Sequence, residues 1–420
     1  MEVIVVGAGI VGATTALALA REGCSVHIID AAPAPATGAS FANAGLISPG
    51  HCFSWAEPGV MSMAAKSLLA GGDGIGICAP WTPTLLRWST LFARESTRTR
   101  WLANSQAALA LARHSRDIQF DMPAIPATAY GGQQGGILYL YGEEHAPSAH
   151  DAALLRGAGE PFVPLGAEQL LLQEPLLREA QVRFSQGVFC PRDGTGDAAR
   201  YAAACVEAAR QLGATASFSR KVHGLQTQGD AVVGVVTDAG LQNADAVVLA
   251  AGLASRALLA PLGCRLPIHP VSGYSVTYQV RSSKRPRVGA VSIPHKVAWA
   301  AFGEETVRFT GYADIGIPGK DRAQRRLDAL ERFAHSVFPE LAALQPARWV
   351  GQRPMTPDNL PFLGAGPRRN LWLNCGHGAM GWTMSCGSAR TVTDLVLGRP
   401  ALMDLAPYRW DRYRALGRRG

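Results

Sequence analysis

Three glycines close to the N terminus have the spacing of a dinucleotide-binding turn. Gly7, Gly9 and Gly12 follow the β-branched run 3–6 and open an apolar stretch, which predicts a strand, a turn and a helix in that order. In such a turn the first glycine permits the tight bend, the second lets the backbone approach a pyrophosphate, and the third lets the helix pack closely on the sheet. The free N–H groups at the start of the helix would face the phosphates. The spacing therefore indicates a βαβ unit that binds a dinucleotide.

An acid stands where the second strand of this unit should end. Gly23 is expected to end the helix, residues 26–29 to form the strand, and Asp30 to follow it directly. A carboxylate at that point can accept hydrogen bonds from both ribose hydroxyls of an adenosine, and it would repel a 2′-phosphate. The glycine turn alone would be a weak signal, but its setting between strand, helix and acid favours a nucleotide site over a purely structural turn.

The loop after the acid indicates which dinucleotide is bound. Residues 38–49 are rich in small side chains, which suits close approach of the backbone to a bulky planar ring. The glycine fingerprint followed by Gly38-Ala39-Ser40 resembles the D-amino acid oxidase class of FAD-dependent oxidoreductases, and residues 42–50 are similar to FAD-dependent D-amino acid dehydrogenases of the small-subunit type. The resemblance implies a noncovalent FAD. It also implies cofactor contacts from Ser40, Asn43, Ala44, Gly45 and Leu46.

Two later segments support the same cofactor. Val222 occupies the place where this class uses a small apolar residue against the adenine, and the apolar run that ends at Gly252 resembles its second motif, beside the pyrophosphate. Residues 375–385 resemble its closing strand-to-helix segment, where a helix N terminus would stabilise negative charge on the reduced flavin. That resemblance implies cofactor contacts from Gly376, His377, Gly378, Gly381 and Trp382. His377 is expected to contact the cofactor rather than transfer protons, and Cys375 is not expected to be a covalent anchor.

One arginine matches the substrate-binding motif of the family. Arg353 lies in a Gly-x-Arg-Pro sequence, and in the family the arginine of this motif holds the substrate carboxylate. A guanidinium does so through two parallel N–H···O bonds, a geometry that lysine cannot reproduce. The alternative is that Arg353 pairs with Asp358 as a structural ion pair. Tyr274 is expected to belong to an aromatic wall that positions the substrate side chain.

Composition excludes several other classes of protein. The chain has 420 residues, of which 48% are hydrophobic and 17% charged, as in a globular enzyme of two domains. No apolar stretch approaches twenty residues, so no membrane span is expected. The net charge of +8 comes without a basic stripe interleaved with aromatics, which argues against nucleic acid and for an anionic small partner. The eight cysteines lie far apart without metal-ligand spacing, which predicts reduced, mostly buried thiols and no metal site.

The expected fold is α/β, with two domains assembled from distant segments. A glutathione-reductase-like Rossmann FAD-binding domain would comprise residues 1–50, 187–262 and 350–420. An α+β substrate domain, built on a mainly antiparallel sheet, would comprise residues 51–186 and 263–349.

The resemblance implies oxidative deamination of a D-amino acid. Hydride would pass from the substrate Cα to flavin N5, and water would hydrolyse the imino acid to the 2-oxo acid and ammonia. Runs 270–273 and 292–296 depart from the commonest dehydrogenase pattern, so the substrate stays open. One alternative is an enzyme acting on D-proline or 4-hydroxy-D-proline. Another is a flavin-carrying subunit of a larger amine dehydrogenase complex that passes electrons to a partner.

The stretch 81–101 bears on location and on the electron acceptor. Thr82 and Pro83 predict a helix start, after which Leu85 and Trp88 fall on one face. One interpretation is a helix packed on the substrate domain. The other is a membrane-surface helix with aromatics and arginines at the lipid interface, near a quinone or another electron acceptor. The apolar N terminus lacks the basic region of a signal peptide, so a cytoplasmic location is expected, with peripheral contact at the inner face of the cell membrane in the second interpretation.

Overall fold

The N-terminal strand lies inside a six-stranded sheet in the computed structural model, which describes residues 1–60, 75–78, 80–121 and 123–414. All of residues 3–6 are buried, because both faces of this sheet are covered. The strands pair in parallel except at the first edge. In spatial order they are β19 (Phe362–Ala365), β20 (Leu371–Cys375), β13 (Ala246–Leu249), β1 (Glu2–Val6), β2 (Ser25–Ile29) and β9 (Thr215–Ser217).

Helices cover one face of this sheet and a small antiparallel sheet covers the other. Val3 and Val5 belong to the core under the helices, whereas Ile4 and Val6 pack with residues of the small sheet. The helices are α1 (Ile10–Arg21), α3 (Arg98–Asp121), α7 (Ala198–Gln211) and α10 (Gly381–Val396). The small sheet comprises β10 (Val222–Gln228), β11 (Ala231–Thr237) and β12 (Gly240–Asn243). The predicted Rossmann FAD-domain architecture is therefore confirmed.

A nine-stranded, mainly antiparallel sheet forms the second half of the molecule, as expected for the substrate domain. Eight strands pair in the order β18 (Ala347–Met355), β14 (His269–Gln279), β17 (Thr306–Ile315), β16 (Val297–Phe302), β15 (Gly289–Ser292), β5 (Ile137–Tyr141), β7 (Gln186–Cys190) and β6 (Val163–Gly166). The ninth, β4 (Ile75–Ile77), lies in parallel beside β17, and β15 is also parallel to β5. Helix α9 (Lys320–Val337) packs its apolar side on this sheet.

Shorter elements connect the two halves. Strands β3 (Leu46–Ile47) and β8 (Gly194–Thr195) pair with each other. Among the described residues, the remaining α-helices are α2 (Pro83–Glu95), α4 (Ala127–Tyr130), α5 (Ala149–Gly157), α6 (Ala167–Gln173) and α8 (Ser255–Leu259). The helix start predicted at Thr82 is confirmed, since Thr82 Oγ1 accepts from Leu85 N at 3.2 Å, and at the start of α7 Asp197 Oδ1 accepts from Ala199 N at 2.9 Å.

Sheet membership differs from the predicted segment boundaries at two points. The boundaries at 187 and 350 fall inside β7 and β18, and both strands belong to the large sheet. We propose the same division with the change of domain after residues 190 and 355. The reason for the difference is that the substrate motif around Arg353 lies on a strand of the large sheet rather than in the Rossmann unit.

Two further expectations concern membranes and cysteines. Among the described residues, no helix combines the length and the apolar character needed to cross a bilayer. All eight cysteines are free thiols, and only Cys78 is more than slightly exposed, which confirms the prediction of reduced, mostly buried thiols.

Candidate active site

Four parallel strands place the predicted nucleotide-binding residues along one edge of the Rossmann sheet. Gly7, Asp30 and Gly376 directly follow β1, β2 and β20, and Gly252 follows β13 after two intervening residues. Neighbouring parallel strands end on the same side, so these positions share the edge at which open α/β sheets bind ligands. The structure thus brings together residues that are far apart in the sequence.

The glycine turn is sterically restricted to glycine at two positions. Gly7 has φ +106°, and a Cβ there would stand 2.6 Å from the carbonyl oxygen of Ala250. A Cβ on Gly12 would stand 1.8 Å from the carbonyl oxygen of Gly7. At Gly9 the nearest atom to a Cβ would be Ser40 Oγ at 3.5 Å, so this position leaves room for a ligand beside the backbone.

Two side chains contact the backbone at the start of α1. Asp30 Oδ2 accepts from Ala8 N at 2.5 Å, and its Oδ1 accepts from Ala32 N at 2.8 Å. Ser40 Oγ accepts from Ile10 N at 3.1 Å, while Gly9 provides no side-chain cap. The remaining N–H groups of the first turn have no intrahelical acceptor, which is the condition for phosphate binding at a helix N terminus.

The adenine side of this edge is open. Gly252 has φ +54°, and no heavy atom lies within 4 Å of the position that its Cβ would take. Val222 begins β10 and is half-buried at the margin of the core beneath the small sheet. Both positions are compatible with the cofactor contacts that the resemblance implied.

The loop 43–46 is held by its contacts with β16 and β8. Gly45 has φ +70°, and a Cβ there would lie 2.1 Å from Phe302 Cε1. Asn43 Oδ1 accepts from Gly45 N at 3.0 Å, and Leu46 pairs with Thr195 across β3 and β8. Asn43, Ala44 and Leu46 are half-buried. Gly45 fits against Phe302 only because it has no side chain. The backbone of the loop therefore packs directly on the large sheet.

Arg308 forms hydrogen bonds with this loop and with both halves of the molecule, a role that the sequence motifs did not predict. Its Nη1 donates to the carbonyl of Asn43 at 3.2 Å, its Nη2 to Asp197 Oδ2 at 3.1 Å, and its Nε to Thr277 Oγ1 at 3.0 Å. Burial lowers the pKa of Arg308, and Asp197 opposes that shift. An arginine inside the otherwise uncharged strand residues 306–311 was the signal that could have found it.

A second set of hydrogen bonds, which the sequence did not predict, joins the loop 43–46 and the residues after it to α10. Thr383 Oγ1 donates to the carbonyl of Leu46 and accepts from Ser48 N, both at 3.2 Å. Nothing in the spacing of the closing segment pointed to Thr383. This hydroxyl fixes the first turn of α10 against the loop that follows the glycine fingerprint.

The closing segment forms a compact turn before α10. Gly376 and Gly378 have φ +79° and +56°, and Gly381 begins the helix, which has no side-chain cap. His377 Nε2 lies 3.1 Å from Ser388 Oγ. Burial lowers the pKa of His377 to about 3, so the ring is neutral and engaged with α10. Its side chain is therefore suited to holding the turn rather than to proton transfer.

Trp382 and Cys375 pack inside the protein. Trp382 is 2% exposed and its ring lies 6.0 Å from Tyr130 and 4.9 Å from Tyr201. Its indole N–H has no acceptor within the described ranges. Cys375 belongs to the core around β13 and β20, and burial raises the pKa of its thiol to about 12. The protonated, buried thiol is a poor nucleophile.

Arg353 lies on the face of the large sheet that receives the loop 43–46. On β14, Val271 pairs with Arg353 and Thr277 pairs with Arg308 of β17. Directly paired residues share a face and side chains alternate along a strand, so both arginines project from the same side. Arg353 Nη1 donates to the carbonyl of Tyr312 at 3.0 Å. Burial lowers the pKa of Arg353 to about 10, which leaves the guanidinium cationic at neutral pH.

Arg353 has no carboxylate partner in the part of the chain that the structure describes. The alternative of a structural ion pair with Asp358 is wrong, because Asp358 binds Arg412 instead, with Nε to Oδ2 at 2.6 Å and Nη2 to Oδ1 at 2.9 Å. Arg353 is half-buried, and a guanidinium withdrawn from water without an anion is costly unless a ligand supplies one. This guanidinium is therefore a candidate site for a ligand carboxylate.

Tyr274 lies on β14, on the face of the large sheet opposite to that of Arg353, at odds with the predicted aromatic wall. Its hydroxyl donates to Asp314 Oδ2 at 2.5 Å, and Asp314 is held by Arg322 and Arg326 of α9. These partners lower the pKa of Asp314 to about 2 against the effect of burial. Tyr274 follows Gly273, which faces Arg353, and alternation turns the phenol away. Tyr274 thus belongs to the core under α9.

The fold and these contacts identify a flavoprotein. The family model described as DAO, FAD dependent oxidoreductase, matches residues 2–395. The chain belongs to this family, and FAD is its cofactor. The residues present fit that group, since Gly7, Asp30 and the open space beside Gly252 lie along the same edge of the Rossmann sheet.

Two proteins named D-amino acid dehydrogenase are similar over essentially the whole chain. The one from Bradyrhizobium diazoefficiens is 36% identical over 417 residues, which cover 98% of this chain and 99% of that protein. The one from Cereibacter sphaeroides is 37% identical over 423 residues, which cover 100% and 97%. These relatives confirm the resemblance on which the family assignment from the sequence was based.

Solved structures share the fold. Glycine oxidase from Geobacillus kaustophilus superposes with a TM-score of 0.71 at 24% identity, covering 98% of both chains. Iminodiacetate oxidase from Chelativorans sp. BNC1 superposes with a TM-score of 0.70 at 22% identity, covering 97% of this chain and 98% of that one. Both likenesses confirm the α/β flavoprotein architecture.

Proposed function

We propose that this protein is an FAD-dependent D-amino acid dehydrogenase that converts a D-amino acid to the 2-oxo acid and ammonia. The observation that carries the proposal is Arg353, a half-buried cation without a carboxylate partner among the described residues, on the face of the sheet that meets the loop 43–46. The full-length relatives named D-amino acid dehydrogenase support the substrate class.

The chain contributes binding and orientation to this reaction. FAD, when bound, supplies the two-electron acceptor for the hydride that leaves the substrate Cα. The amine lone pair then forms the C=N bond of the imino acid, and water hydrolyses it to the 2-oxo acid and ammonia. Arg353 holds the substrate carboxylate and so fixes the position of Cα. No side-chain base is required once the amine is deprotonated, and neutral His377 is bonded to Ser388.

Several residues would hold the cofactor in this proposal. The turn of Gly7, Gly9 and Gly12 and the hydroxyl of Ser40 lie where the pyrophosphate would bind, and Asp30 lies where the adenosine ribose would bind. The attachment would be noncovalent, which accords with the packing of Cys375 in the core. Further contacts would come from Asn43, Ala44, Gly45, Leu46, Val222, Gly252, Gly376, His377, Gly378, Gly381 and Trp382.

The electron acceptor in this proposal is a quinone or a similar carrier, reached at a membrane surface. Helix α2 buries Leu85 and Trp88, and Trp88 Nε1 donates to the carbonyl of Met355 at 3.0 Å, so one side packs on the large sheet. Trp81, which precedes this helix, is 65% exposed, and Leu86 of the helix is 51% exposed. Aromatic and aliphatic side chains at this exposure suit the lipid interface.

Vesicle binding tests the membrane contact. Replacing both Trp81 and Leu86 with serine should reduce co-sedimentation with anionic phospholipid vesicles. Leu172→Ser serves as the matched control, because Leu172 is 69% exposed on a different helix. Equal sedimentation of all three proteins would refute the contact.

A substrate panel tests the function itself. The holoenzyme with an artificial acceptor should oxidise D-amino acids and leave their L-enantiomers unchanged. Oxidation restricted to D-proline or 4-hydroxy-D-proline would indicate the cyclic-substrate alternative. Turnover that appears only after a second protein is added would indicate the subunit alternative. An enzyme that is inactive on every D-amino acid in both settings would refute the proposal.

A further inference from the structure

Three aromatic side chains from separate parts of the chain gather near Arg353. Trp349 lies on the same strand and is half-buried, whereas Trp55 and Phe41 are 37% and 49% exposed. The Trp55 ring centre lies 5.9 Å from Cζ of Arg353, and the ring centres of Phe41 and Trp349 are 6.1 Å apart. Large apolar rings left partly exposed together around a half-buried cation indicate a binding surface rather than ordinary surface residues.

A pair of glycines brings Trp349 and Arg353 towards each other. Gly351 of β18 pairs directly with Gly273 of β14. A Cβ on Gly351 would stand 1.7 Å from Trp349 Cη2, and a Cβ on Gly273 would stand 2.3 Å from Arg353 Nη2. The indole therefore lies over one glycine and the guanidinium over its partner. A ligand whose carboxylate meets the guanidinium has its next carbons beside the indole.

The acids at the ends of β17 and β18 are engaged with other side chains. Asp358 pairs with Arg412, and Asp314 with Tyr274 and two arginines of α9. A lysine-like or arginine-like substrate side chain would lose its hydration without gaining an ion pair from either acid. An aromatic or large aliphatic side chain would instead bury its own surface and that of the rings.

We propose that Trp349, Trp55 and Phe41 form a side-chain subsite that selects D-amino acids with aromatic or large apolar side chains. This inference rests on the proposed function, because it takes Arg353 as the carboxylate anchor. Trp349 forms the part of the subsite nearest the anchor, and Trp55 and Phe41 close its outer side.

Kinetics with matched substrates test the subsite. The value of kcat/KM should be at least about tenfold higher for D-phenylalanine than for D-alanine, the discrimination that burying a large apolar group supplies. Trp349→Ala should lower kcat/KM for D-phenylalanine by about tenfold or more, mainly through KM, and change that for D-alanine by less than about threefold. Trp55→Ala should act in the same direction, and Leu172→Ala, at a side chain 69% exposed on α6, should change neither value.

Binding of nonreactive carboxylates gives a readout that does not depend on turnover. By titration calorimetry, phenylacetate should bind the FAD-loaded wild-type protein at least about tenfold more tightly than acetate, and Trp349→Ala should remove most of that difference. Equal affinities for the two ligands, or a preference that survives in both tryptophan variants, would overturn the subsite.

The two proposals fail in different ways. Turnover of D-alanine and D-phenylalanine at equal kcat/KM would overturn the subsite and leave the proposed function intact. No turnover of any D-amino acid, with tighter binding of phenylacetate that depends on Trp349, would overturn the proposed function and retain the subsite for aromatic carboxylates.

Discussion

Arg353 lies directly over Gly273 of the neighbouring strand, so close that a Cβ on residue 273 would stand 2.3 Å from Nη2. The absence of a side chain at Gly273 gives the guanidinium its place on the sheet, and the carbonyl of Tyr312 fixes its orientation through Nη1. The carboxylate site is thus built from two strands, one that carries the cation and one that leaves room for it.

Gly273→Ala should displace the guanidinium without unfolding the protein. The clash is with the mobile end of a side chain, so Arg353 can move aside while the sheet stays intact. We expect KM for a D-amino acid to rise by about tenfold or more, as expected when a positioned anchor shifts by about 1 Å. FAD content should be unchanged. Gly224→Ala is the matched control, because nothing lies within 4 Å of a Cβ at that strand position. Unchanged KM in Gly273→Ala would place the carboxylate elsewhere.

Arg353→Ala should lower kcat/KM by about 2–5 kcal/mol, the cost of leaving a buried carboxylate without its partner. Arg353→Lys keeps the charge but loses the fork, so it should raise KM strongly and lower kcat through misplacement of Cα. Arg348→Ala is the control, since Arg348 projects from the other face of β18 and pairs with Glu331. Near-normal kcat/KM in Arg353→Ala would contradict the anchor role, as would an unchanged ratio of activity on the D-amino acid to activity on its decarboxylated amine.

Asp30→Ala should weaken FAD binding by about 1.5–3 kcal/mol, the range for hydrogen bonds to a charged group. The structure adds a second reason, because the carboxylate also accepts from the N–H groups of Ala8 and Ala32 beside the glycine turn. Flavin fluorescence on titration of the apoprotein measures the change. Asp238→Ala, at an exposed acid paired with Arg220, should bind FAD as the wild type does. Equal affinity in Asp30→Ala would show that this acid does not contact the ribose.

Asp193 should make stability depend on pH near neutrality. Burial raises the pKa of this carboxyl to about 7, while it accepts from Tyr139 Oη and Gly50 N. A raised pKa means that the folded state holds a proton that the unfolded state releases, so its stabilising contribution is complete below pH 3.8 and is lost as pH rises through 7. Relative to wild type, Asp193→Asn should therefore gain in unfolding free energy between pH 5 and pH 8, measured by denaturant titration. Parallel pH curves for the two proteins would contradict this assignment.

The reduced enzyme should react slowly with oxygen and quickly with quinone-like acceptors. The relatives named dehydrogenase and the exposed side chains of Trp81 and of Leu86 on α2 motivate this expectation. Stopped-flow reoxidation in air, compared with reoxidation by a soluble quinone, measures the two rates. Stoichiometric hydrogen peroxide formed at the full turnover rate would refute it.

The local features of the fold could be predicted because their causes are local. The turn at Gly7 and Gly12, the end of the strand at Asp30 and the cap at Asp197 each follow from steric and hydrogen-bonding rules that act within a few residues. The FAD assignment and the proposed role of Arg353 came from the resemblance of short motifs to those of a known family. Arg308 and Thr383 escaped notice because their partners are remote, with Asn43 lying 265 residues from Arg308.

The sequence by itself determined the nucleotide edge, since glycine spacing and strand ends dictate where phosphates can approach. Only the tertiary structure decided which face of β14 meets the loop 43–46. Alternation along the strand shows that Gly273 and Tyr274 face opposite sides, but not which side α9 covers. Packing of α9 placed Tyr274 with Asp314 in the core and left Gly273 beneath Arg353. The face of a strand that becomes a site depends on which neighbours bury the other face, and those neighbours come from distant parts of the chain.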